Sequence, residues 1–117
     1  MDFSLTEEQR AWQMKARQFA EEEIRPISLK REQIADPKHT WDWEIIKKGS
    51  KQGFRTLAVP KEWGGHGADF ISQALVMAEL SAADCAIGKA FSQNWKWSHL
   101  ISMVCTDDQK KRFLTKF

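Results

Sequence analysis

Thr6-Glu7-Glu8-Gln9, with Trp12, Ala16, Phe19, Ala20 and Ile24 following at helical spacing, sets the class of this chain. The first four residues form a capping box, in which a threonine hydroxyl accepts from an early amide while a glutamine three residues on reaches back. The apolar positions that follow recur every three or four residues and make one buried stripe on a helix. Arg25-Pro26 closes the pattern, because proline disfavours a helical residue before it. The charged stretch from Ile27 to His39 predicts a short helix or an irregular crossing.

The same signals recur downstream. Thr40 is an N-cap candidate ahead of Trp43, Ile46 and Gly49, an expected inward face, with Asp42 and Glu44 in the first turn and Gly53 as the C-terminal stop. Phe54 to Val59 is short and apolar and predicts an extended segment. Pro60-Lys61-Glu62-Trp63-Gly64-Gly65-His66-Gly67 predicts a loop. Asp69 caps a helix whose expected inward face is Ile71, Leu75, Met77 and Ala78, and Asp84 caps another running from about Cys85 to Val104. Thr106-Asp107-Asp108-Gln109 repeats the capping box before Phe113, Leu114 and Phe117. The expected fold class is all-α, a bundle of five to six helices with no sheet, occupying residues 1–117 as one domain.

Composition narrows the function classes. The chain has 117 residues, 42% hydrophobic and 29% charged, which suits an ordinary globular domain. Eighteen basic residues face sixteen acidic ones, net +2, too balanced for a field that draws nucleic acid or an anionic membrane. Six Trp and seven Phe against no Tyr suit a small core and surfaces that meet another domain. Met1-Asp2-Phe3-Ser4 lacks the basic, then apolar, pattern of a signal peptide, and no apolar run is long enough to span a bilayer. Cys85 and Cys105 make no disulfide framework, so a soluble chain in the reducing cytoplasm is expected.

Few constellations could carry chemistry. Glu21-Glu22-Glu23 point in different directions on a helix and read as a solvated face. His39, His66 and His99 share no metal-ligand spacing, so no metal is expected. Gly64-Gly65-His66-Gly67 lacks the G-x-G-x-x-G spacing and the preceding strand of a dinucleotide site. Trp95-Lys96-Trp97 resembles a stacking platform for bases, but helical neighbours diverge by about 100°, and a core or domain-contact role is expected. On that helix Ile87, Phe91, Asn94, Trp95 and Ile101 fall toward one side. Lys89, Ser92, Gln93, Lys96 and His99 form a polar stripe on the other.

Four segments, in order, resemble the acyl-CoA dehydrogenase family. They are Phe3-Ser4-Leu5-Thr6-Glu7-Glu8-Gln9-Arg10; Phe19-Ala20-Glu21-Glu22-Glu23-Ile24-Arg25-Pro26; Gly53-Phe54 with Val59-Pro60-Lys61-Glu62-Trp63-Gly64-Gly65-His66-Gly67; and Glu79-Leu80 with Thr106-Asp107-Asp108-Gln109-Lys110-Lys111-Arg112-Phe113-Leu114. The resemblance implies the family's N-terminal helical domain, with the middle β-domain and C-terminal helical domain absent. It implies an FAD flavoprotein of fatty acid metabolism that desaturates an acyl-CoA thioester and is reoxidised by an electron-transfer flavoprotein. A homo-oligomer is implied for the complete enzyme. No residue here is expected to be the catalytic base, and FAD is not expected to be held by this chain alone.

The resemblance further implies that Gly88, Lys89, Ser92, Gln93 and Lys96 line one wall of the acyl cleft. Two lysines there imply a short or polar acyl group, or a carboxylate from the remaining domains opposite them. Surfaces that meet those domains are expected to expose some of the tryptophans. A standalone helical module docking on a separate flavin subunit, or the same domain from a flavin monooxygenase or nitroalkane oxidase, are the alternatives.

Overall fold

The computed structural model describes residues 3–117; Met1 and Asp2, part of the N-terminal reading, lie outside the described residues. Among the described residues six α-helices and no strand are found: α1 Glu7–Phe19, α2 Arg25–Glu32, α3 Trp43–Lys51, α4 Phe70–Ala83, α5 Cys85–Val104 and α6 Asp107–Leu114. The body is flat, 44 × 39 × 21 Å. Helix α1 packs along α4, α4 along α5, and α6 on the end of α5.

Both predicted capping boxes form, Thr6 with Gln9 and Thr106 with Gln109. Pro26 does not end the first helix. Ala20–Ile24 widen into a π-turn, in which the Arg25 amide donates to the Ala20 carbonyl, and α2 carries the proline in its first turn. The wider turn gives room to the ring that would strike a regular helical carbonyl. The irregular crossing then consists of α2 and a 3-10 turn at Pro37–His39.

Asp42, not Thr40, caps α3: its carboxylate accepts from the Glu44 and Ile45 amides, while the Thr40 hydroxyl donates to the Pro37 carbonyl. Of the expected inward face, Gly49 is buried and Ile46 packs partly buried on the core, whereas Trp43 is exposed and Ile45 is buried in its place. At its end the Gly53 amide donates to Ser50 O and the Phe54 amide to Gly49 O, a Schellman closure around Gly53 at φ 93°. Phe54 to Val59 is a coil of buried turns, not an extended segment. Its backbone pairs with the returning glycine loop, since the His66 amide donates to Thr56 O, Gly67 to Val59 O and Ala68 to Leu57 O. Gly65 lies so close to Val59 that a Cβ there would meet the Val59 carbonyl oxygen.

Helix α4 faces inward with Ser72, Gln73, Val76 and Leu80, whereas the expected Ile71, Met77 and Ala78 point outward. Its setting is decided by polar locks. Asp69 accepts from the Ser72 amide as the N-cap, and its second oxygen accepts from Gln9 Nε2 at 2.7 Å. Glu79 accepts a forked pair from Arg17 at 2.7 and 3.0 Å and a third bond from Gln13. The Ser72 amide, aided by Gln9, holds the Asp69 carboxyl below its ordinary range, and Arg17 does the same for Glu79.

A carboxyl whose pKa is depressed by folding stabilises the fold above its unfolded pKa and loses that contribution as pH falls through the folded one. The urea midpoint should therefore hold steady near neutrality and fall below about pH 4.5. Asp69→Asn and Glu79→Gln should each lower the neutral-pH midpoint and flatten this acid limb; an acid limb unchanged in the double variant would refute the assignment.

Candidate functional site: the outer face of helices α4 and α5

Asp84 ends α4 and starts α5. One of its oxygens accepts from the Ala86 and Ile87 amides, and the other from Arg31 at 2.7 Å and the Ser28 hydroxyl at 3.3 Å. Arg31 also donates to the Thr40 carbonyl, tying α2 and the crossing segment to the start of α5. Ile87, Phe91, Trp95 and Ser98 then turn inward. The Trp95 indole donates to the Phe54 carbonyl at 2.6 Å, and a Cβ on Gly49 would lie 2.5 Å from the Phe91 ring.

With that side buried, the predicted polar stripe separates into three placements. Gly88 is buried against α4, where a Cβ would meet Ser81 Oγ and a clash would push the two helices apart. Ser92 is half-buried and its hydroxyl donates to the Lys89 carbonyl, within its own helix. Lys89, Gln93 and Lys96 point outward and continue into Leu100 and Met103, all exposed. Steps of four, three, four and three residues put these five on one line. Its N-terminal half is cationic and polar and its C-terminal half apolar.

His99 leaves the stripe for α4. Gln73 donates its amide to the Ala68 carbonyl, so it presents its oxygen to His99 Nε2 at 3.1 Å, and that nitrogen carries the hydrogen. The ring stacks on Phe70 at 4.8 Å. Neither Gln73 nor Phe70 was legible as a neighbour of this face, because 26 residues separate Gln73 from His99 and no local pattern links them. Beside them Phe70 (72% exposed), Ile71, Met77 and Met103 (81%) make the outer surface strongly apolar. The Trp95-Lys96-Trp97 reading divides: Trp95 is core, while Trp97 is half exposed under the Lys96 ammonium at 5.7 Å. Trp41 and Trp43 are also exposed, edge to face beside a groove of about 220 Å³ between α3 and α5.

The glycine loop is not a phosphate cradle. The amides of Gly64, Gly65, His66 and Gly67 donate to the carbonyls of Lys61, Pro60, Thr56 and Val59, which leaves none for a ligand. The neighbouring His66 ring meets Trp12 edge-on at 5.0 Å, and burial, with Lys15 and Lys61 nearby, lowers its pKa. Within the described residues the glycine loop is closed on itself by its backbone bonds. Among those residues no three His, Cys, Asp or Glu side chains converge as a metal site would require. No helix among them is long and apolar enough to cross a membrane.

Residues 6–117 match the model of the acyl-CoA dehydrogenase N-terminal domain. The chain belongs to the acyl-CoA dehydrogenase family. It is 39% identical over 101 residues to a 3-(aryl)acrylate reductase of Clostridium sporogenes, covering 85% of this chain and 26% of the relative. It superposes on butyryl-CoA dehydrogenase from Megasphaera elsdenii with a TM-score of 0.85 and 28% identity, covering 98% of this chain and 30% of that one. A chain from structural work on the electron transferring flavoprotein of Acidaminococcus fermentans matches with a TM-score of 0.87 and 36% identity, again over 98% and 30%. The chain thus spans between a quarter and a third of the length of these relatives.

The indole bond at Trp95 anchors α5, whereas Trp97 is half exposed. Trp95→Phe should destabilise by about 1–3 kcal/mol, because the Phe54 carbonyl is left buried without its donor. Trp97→Phe should stay within about 0.5 kcal/mol of the parent and reduce the acrylamide-quenchable emission. Urea denaturation and quenching titrations check both.

Proposed function

We propose that this domain serves an FAD-dependent acyl-CoA dehydrogenase and supplies one wall of its acyl cleft. The observation that carries the reading is the outer face of α4 and α5, an apolar surface without a partner in a domain whose family is established. On this reading the middle β-domain and C-terminal helical domain complete the enzyme. Lys89, Gln93 and Lys96 face the cleft, while Gly88 and Ser92 shape the wall from behind, through helix packing and the backbone bond to Lys89.

FAD, bound when the other domains are present, would accept the hydride taken from the β-carbon. The catalytic base that removes the α-proton lies outside these residues. The wall's part is to position: α5 offers a rigid face, Asp84 and Trp95 hold it in place, and the apolar rim excludes water from the bound thioester. An electron-transfer flavoprotein as electron acceptor, a homo-oligomeric assembly and a cytoplasmic setting belong to the same reading. The flavoprotein subject of one structural match supports the acceptor. The 3-(aryl)acrylate reductase similarity favours a second reading, in which the same carbon–carbon bond is reduced rather than oxidised.

The test is turnover by the full-length gene product. Purified with FAD, it should reduce an artificial electron acceptor when given saturated acyl-CoA thioesters, or hydrogenate the unsaturated ones with a supplied reductant. Residues 1–117 alone should do neither. A stoichiometric flavin spectrum or turnover from those residues by themselves would overturn the division of labour.

A further inference from the structure

We draw no further inference here: the strongest candidate, the aromatic groove between α3 and α5 beside Trp41, Trp43 and Arg55, carries none because nothing in the structure shows what covers it.

Discussion

The position of the outer wall depends on Phe54. Its ring stands between Trp12 and Phe19 of α1 and Phe91 of α5, with centroids 6.5, 5.4 and 6.0 Å away, two of the three edge to face. Its carbonyl accepts the Trp95 indole bond. One residue therefore touches α1 with its ring and α5 with both ring and backbone. Phe54 reaches that place because Gly53 turns the chain through a left-handed conformation at the end of α3. A residue with a Cβ would be strained there and would also press on the His66 ring. The rotation of α5, and with it the identity of the outward line, follows from these contacts.

The long helices are placed by one device used twice. Asp69 and Asp84 each cap a helix with one carboxylate oxygen and spend the other on a distant partner, Gln9 for Asp69 and Arg31 with Ser28 for Asp84. Local and tertiary structure are thus made by the same side chain. Loss of either aspartate would remove a cap and a tertiary bond at once. Gln9 extends the economy, since it also completes the capping box of α1. The charge-assisted bonds are short and directional, and they set the angular position of α4 where apolar packing does not.

Caps were legible because they are local: Thr6, Asp69, Asp84 and Thr106 act within three residues of themselves, and each was found where the sequence placed it. Asp42 was passed over for Thr40 because both residue types cap well and only the crossing segment decides between them. Pro26 misled for a different reason. The rule against proline assumes regular helical spacing, and the π-turn removes the clash that the rule describes. Phe54 to Val59 has the composition of a strand, but its hydrogen-bond partners lie in the glycine loop beyond Pro60. On the candidate wall, the outward placement of Lys89, Gln93 and Lys96 followed from periodicity. The burial of Gly88 and the tie between His99 and Gln73 depended on α4, which periodicity within α5 does not describe.

The failure at α4 is the most informative. Its sequence, Phe70-Ile71-Ser72-Gln73-Ala74-Leu75-Val76-Met77-Ala78-Glu79-Leu80-Ser81-Ala82-Ala83, has apolar residues on every side and a single charge, so no apolar stripe marks an inward face. A helix with that character belongs in an interior on all sides. Within this domain only the Ser72, Gln73, Val76 and Leu80 side is enclosed, and the outward side ends in Phe70, Ile71 and Met77. The property that hid the orientation of α4 from periodicity is therefore the property that marks its outer face for covering. Leu100 and Met103 continue the outward line of α5, and His99, stacked on Phe70, links that helix to α4.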